Sequence, residues 1–197
     1  MNPSIRIMGI AAALFGLGAV ATHASPVFAQ ITGSVSGVTN AAQVDVAPTP
    51  APLAEAMRGR PLSEQVEAYG RVETETAEQD CLANAVYFEA RGEPIEGQLA
   101  VAEVVLNRTR SGRYPASICG VVTQPAQFSF VRHRQIPAAN RGSDAWRRAV
   151  AIARIAQDKV NHQLDGDVLW YHANYVSPSW GRRLNRTSQI GAHIFYR

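Results

Sequence analysis

Lysine is almost missing from this chain of 197 residues: Lys159 stands alone among 19 basic side chains, and the others are arginines. Cysteine is nearly as scarce, with Cys81 and Cys119 only. Two cysteines without histidine at ligand spacing cannot make a zinc site, HExxH does not occur, and His133, His162, His172 and His193 are scattered. No metal is expected and no cofactor is implied. A formal charge of only +3, with no reader motif, argues against nucleic acid as a partner. The apolar run from Ile7 to Ala21 is too short and too rich in Ala and Gly to read as a membrane span.

That run follows the basic Arg6 and precedes small residues at two cleavage points, after Ala24 or after Ala29, so residues 1–29 read as a secretory signal peptide. An uncleaved anchor is the alternative; after cleavage no stable span is expected. Export places the protein in the periplasm or at the cell wall. Residues 30–77 are rich in Ala, Val, Thr, Pro and Ser, with Pro48, Pro50 and Pro52 alternating with other residues. A stretch of that composition buries too little apolar surface to offset the entropy of ordering it, and reads as a disordered linker. Within it Leu62 to Tyr69 could close into a short helix capped by Ser63. Residues 78–197 are the right size for one domain with a single core.

Both cysteines fall in that domain, and in an exported protein they are expected to pair, clamping the first long helix to the next helical segment; two free buried thiols are the alternative. The arginines gather as Arg108, Arg110 and Arg113, then Arg132 and Arg134, then Arg182, Arg183 and Arg186. Guanidinium forks suit carboxylates, so each cluster is either a substrate contact or a solvated face.

The domain reads as α+β, mainly helical. A first helix over Glu78 to Arg91 should stop at a left-handed Gly92, and a second should start with Pro94 as its first residue and end near Ser111-Gly112. A short helix over Ser117 to Val122, an extended segment over Gln127 to Val131, and a long helix from Asp144 to about Asn161 capped by Ser143 follow. Val168 to His172 and Ala192 to Tyr196 read as strands of a small C-terminal sheet. On the first helix Leu82, Ala85, Val86 and Glu89 share one face at the i, i+3, i+4, i+7 spacing. A carboxylate on a core-facing stripe is either an ion-pair partner or a group whose pKa burial raises toward that of a proton donor.

The string Val86-Tyr87-Phe88-Glu89-Ala90-Arg91-Gly92-Glu93-Pro94, followed in order by Arg113-Tyr114-Pro115, Gln127-Phe128-Ser129-Phe130, Trp180 and Ile190-Gly191-Ala192-His193-Ile194-Phe195-Tyr196, resembles the SleB/CwlJ cell wall hydrolases. The likeness runs from about Cys81 to Arg197. It implies a lysozyme-like catalytic domain, peptidoglycan as substrate and Glu89 as the catalytic acid. It also suggests Gln127 and Ser129 as groove residues. Tyr171, His172 and Trp180 could line the same groove by stacking on sugars, although each is also an ordinary packing residue.

Glycosidases that hydrolyse pair the donor with a second carboxylate, for which Glu93, Glu96, Glu103 and Asp144 are candidates; lytic transglycosylases of the implied kind need only one Glu. The resemblance therefore leaves three readings: a lytic transglycosylase, an N-acetylmuramidase or glucosaminidase, or a peptidoglycan-binding module without turnover. Glu93, past the end of the first helix, is expected to cap the second. Protein partners are not indicated by any motif.

Overall fold

The structure, a computed structural model, describes residues 50–197; the expected signal peptide and residues 30–49 of the expected linker lie outside them. In chain order the elements are α1 (Pro50–Met57), α2 (Leu62–Tyr69), α3 (Ala77–Ala90), α4 (Ile95–Arg110), α5 (Ile118–Val122), α6 (Asp144–Gln157), β1 (Trp170–Ala173), β2 (Arg186–Ile190) and β3 (His193–Tyr196). This is the expected mainly helical α+β class. Among the described residues no helix is long and apolar enough to cross a membrane.

From residue 50 onward the expected linker is instead folded. Leu62, Gln65, Val66 and Tyr69 make a helical stripe, with Leu62, Gln65 and Tyr69 buried against the rest of the protein. The two polar members are satisfied: Gln65 Nε2 donates to Met57 O and Arg60 O, both at 3.0 Å, and the Tyr69 hydroxyl donates to Asp158 Oδ2 at 2.9 Å. Proline-rich composition hid this period. Ser63 does not cap the helix; Pro61 precedes it without a side-chain bond.

α3 starts at a capping box, in which the Thr76 hydroxyl accepts from Gln79 N and the Gln79 side chain accepts from Thr76 N. Its end differs from expectation. Gly92 is not among the glycines of positive φ, and α3 closes through Arg91 in helical geometry with Glu93 N bonded to Ala90 O at 2.9 Å. Pro94 then serves as N-cap of α4, so the helix starts at Ile95, one residue later than expected.

α4 is buried on nearly every side because it lies between two apolar layers. Leu99, Ala102, Val105 and Leu106 join the helical core with α3 and α6, while Ala100 and Val104 meet Val168 and Phe195 below the sheet. The sheet has the order β1-β3-β2 and both pairings are antiparallel. β2 was not expected from sequence, since its Arg186-Thr187-Ser188-Gln189 run is polar and mostly exposed. Gln127 to Val131 is turns, not an extended segment.

Cys81 and Cys119 form the expected disulfide, joining α3 to α5 with Cα atoms 5.2 Å apart. The Glu78 carboxylate strengthens the same joint by accepting from the N–H groups of Ile118 and Cys119. α6 begins at the expected Ser143 cap but stops at Gln157. Lys159 takes the left-handed position (φ 53°), with Lys159 N bonded to Ala156 O and Val160 N to Ile155 O, a helix end for which glycine is the usual signal.

Candidate active site

The last turn of α3 presents Phe88 and Glu89 beside the N-terminal end of β1. Glu89 is half-buried. Its Oε2 accepts a hydrogen bond from the Tyr171 hydroxyl at 3.3 Å, and it has no ion-pair partner among the described residues. Burial disfavours its charged form and raises its pKa to about 7; the Tyr171 bond and the positive Arg108 oppose that shift without cancelling it. The carboxyl is thus a proton donor near neutral pH that can also exist ionised. Tyr171 keeps its own proton, since burial and the neighbouring Glu89 push its pKa well above the phenol range.

Arg108 is the residue sequence reasoning missed. Grouped by sequence with Arg110 and Arg113, it is in fact buried at 5% exposure while those two are exposed. Its Nε donates to Leu169 O at 2.9 Å, and its guanidinium lies 5.0 Å from the Tyr114 ring and 5.8 Å from that of Phe128. A usable signal existed: Val101, Val104, Val105 and Arg108 fall on one helical stripe, so the guanidinium had to go inward.

The expected groove residues divide. β1 alternates, so Tyr171 shares a face with Phe195 and His193, whereas His172 turns to the other face. There His172 Nδ1 donates to Ala173 O at 2.8 Å, which leaves Nε2 to accept from the Tyr196 hydroxyl at 2.9 Å. Trp180 is 9% exposed and packs on Trp170, His172 and Tyr196. Both were expected beside the glycan; they are interior packing on the side of the sheet away from Glu89. Gln127 is half-buried and Ser129 exposed, on a loop whose Phe130 stacks on Phe88 at 4.9 Å, the residue next to Glu89. His193, to which the sequence assigns no site role, is buried with its ring 5.2 Å from Tyr171, and burial lowers its pKa.

Of the four other candidate carboxylates three are engaged elsewhere, and the fourth, Glu96, is exposed. Glu93 does not cap α4: its Oε2 accepts from Ala192 N at 2.8 Å in the β2–β3 turn, and a side chain at Gly191 (φ 58°) would collide with it. Glu103 accepts from the N–H groups of Gln163 and Leu164, and Asp144 is paired with Arg147. A hollow of about 580 Å³ bordered by Arg113, Asp167 and Arg197 and another of about 270 Å³ bordered by Glu103 and Lys159 are not lined by Glu89.

Residues 92–196 match the cell wall hydrolase family, a span that begins three residues after Glu89. The chain is 40% identical over 115 residues to the spore cortex-lytic enzyme of Oceanobacillus iheyensis, which covers 58% of this chain and 39% of that protein. It is also 40% identical over 118 residues to the spore cortex-lytic enzyme of Bacillus subtilis, covering 58% and 35%. The chain therefore spans about two fifths or less of the length of these relatives. Among solved structures, the catalytic domain of the germination-specific lytic transglycosylase SleB from Bacillus anthracis is similar with a TM-score of 0.51 and 31% identity, over 63% of this chain and 97% of that one. With a matching span of that length, and with the ordered motifs already noted, the chain belongs to the SleB/CwlJ family of cell wall hydrolases.

Proposed function

We propose that this protein cleaves the glycan strands of peptidoglycan as a lytic transglycosylase, with Glu89 as its general acid and then its general base. The observation that carries the reading is a half-buried carboxyl without an ion pair, held protonated up to about pH 7 beside a tyrosine hydroxyl. In this mechanism Glu89 gives its proton to the glycosidic oxygen as the bond to the anomeric carbon breaks. The 6-hydroxyl of the same sugar then bonds to that carbon, and its proton returns to Glu89. No water is consumed, so no second carboxylate is required, in keeping with the other engagements of Glu93, Glu103 and Asp144. Tyr171 orients the carboxyl, and the loop bearing Gln127 and Ser129 flanks the bound strand. Names of the relatives and of the structural neighbour support a wall substrate, and action in the periplasm or wall fits the expected export signal.

The test is digestion of peptidoglycan sacculi with the full chain and mass spectrometry of the products. 1,6-Anhydro ends are expected, and Glu89→Gln should release them at least about a hundredfold more slowly. New reducing ends would make the enzyme a hydrolase, free stem peptides an amidase, and binding without release a wall-binding module.

A further inference from the structure

The three arginine clusters of the sequence end in different places. Arg108 is buried in the first, and its neighbours Arg110 and Arg113 border hollows that Glu89 does not line. The third lies at or just before β2, two strands away from Tyr171, with Arg186 bonded to Gln189. Only the second, Arg132 and Arg134, is carried on the loop that packs against the residue next to Glu89.

That loop is built to hold its tip still. Phe128 lies under the Arg108 guanidinium, Phe130 stacks on Phe88, and Val131 and Ile136 pack against the core on either side of the turn. Arg132 and Gln135 exchange both backbone hydrogen bonds, at 3.1 and 2.9 Å, so His133 and Arg134 are the two central residues of a tight hairpin. Both have positive φ, 52° and 63°, the pattern of a type I′ turn. Asn-Gly is the sequence that adopts this turn without strain; histidine tolerates the left-handed region, but the bulky Arg134 at φ 63° is among the poorer choices. Arg132, His133 and Arg134 are all exposed, and neither arginine has an ion-pair partner among the described residues. Strained backbone that keeps unpaired cations at a fixed tip is the arrangement of a binding element rather than of a structural turn. Arg132 is two residues from Phe130, so their Cα atoms lie within about 7 Å.

We infer that the Arg132-His133-Arg134 turn is a subsite for the free carboxylates of stem peptides carried by the glycan strand at Glu89. The inference rests on the proposed peptidoglycan substrate and adds its charged substituent as a determinant of specificity. Guanidinium forks on a rigid hairpin pair with carboxylates at small entropic cost, and such contacts, made alike in ground and transition states, act on KM.

The experiment compares intact sacculi with the same sacculi after carbodiimide amidation, which turns free carboxylates into neutral amides. The full chain should favour the unmodified form by about tenfold in kcat/KM, with the difference in KM and weakened by salt. The double variant His133→Asn/Arg134→Gly, which supplies the favoured turn sequence and so should fold at least as stably, should lose most of that preference. Arg132→Gln/Arg134→Gln, which leaves the turn length and His133 in place, should do the same. A preference that survives in both variants, or that the unaltered chain does not show, overturns the inference. Co-sedimentation with the two sacculi reads the same ratio without turnover. A chain that cuts neither substrate would therefore refute the glycan-cleavage reading while still deciding the role of the turn.

Discussion

The Tyr171 hydroxyl donates to Glu89 Oε2 across 3.3 Å, whereas the buried Arg108, whose charge also acts on Glu89, forms no ion pair with it. This division keeps the carboxyl oriented but not locked in its ionised form. A direct Arg108–Glu89 bridge would drive the pKa down and leave a poor proton donor at neutral pH. Arg108 is held off by its bond to Leu169 O and by the Tyr114 and Phe128 rings.

The first consequence is a pH limb. A general acid must be protonated in the free enzyme, so kcat/KM on sacculi should be level on the acid side and decline by about tenfold per pH unit above the Glu89 pKa. Burial sets that value at about 7. Tyr171→Phe removes a bond that favours the ionised carboxylate, so its limb should move to higher pH. A Tyr171→Phe profile superimposed on the parent, or displaced downward, would contradict the assigned role.

Glu89→Gln should separate activity from stability. Loss of a general acid and base should cut turnover by roughly 10²- to 10⁴-fold. The folded-state pKa of Glu89 lies above its ordinary 4.5, so its stabilising share is full below that value and is lost as pH rises toward about 7. Above pH 7 the folded protein carries a poorly solvated charge that glutamine lacks. The variant should therefore match the parent near pH 4 and exceed it by roughly 1–3 kcal/mol at pH 8, read from urea midpoints at the two pH values. Glu103 is raised for the same reason but is present in both proteins, so the difference isolates position 89.

Much of this site was legible in the sequence, because helical periodicity alone turned Glu89 toward the core beside Leu82 and Val86. The Cys81–Cys119 pairing and the Ser143 cap were legible too, since each depends on residue type and local spacing. What was hidden depends on neighbours distant in sequence. His172 and Trp180 look like sugar-stacking residues until β1 pairs with β3, which assigns Tyr171 and His172 to opposite faces. Arg108 looks like one of three surface cations until α4 is placed between two apolar layers. Glu93 looks like a cap for α4 until the β2–β3 turn arrives to meet it.

Reducing the disulfide should weaken the fold without touching the chemistry directly. Cys81 and Cys119 are 38 residues apart, and closing a loop of that length stabilises by about 3–4 kcal/mol in the chain-entropy model. The bond joins α5 to the start of α3, about two turns from Glu89. Cys81→Ser/Cys119→Ser should lower the melting temperature by roughly 10 °C while kcat at a temperature well below melting stays within about twofold. A large kcat loss in protein that remains folded would instead tie the crosslink to the position of Glu89.

The helices α1 and α2 precede the span that matches the family, residues 92–196, and are the most decisive place to test what supports that span. Tyr69 is fully buried and bonded to Asp158 just past α6, and Gln65 is fully buried with Asn161 Nδ2 donating to its Oε1 at 3.1 Å. Removing α1 and α2 would uncover the face of α6 on which α2 packs, take from Asp158 its bond to Tyr69, and leave Asn161 with Gln163 but without Gln65. Tyr69→Ala alone should cost about 3–5 kcal/mol, the usual range for deleting a large buried aromatic side chain. A chain starting at residue 74 should melt at least 10 °C below one starting at residue 50, by the scaling for a domain of this size. Equal melting temperatures would mean that α2 only rests on α6, and that the stripe Leu62, Gln65, Val66 and Tyr69 is not part of the working core.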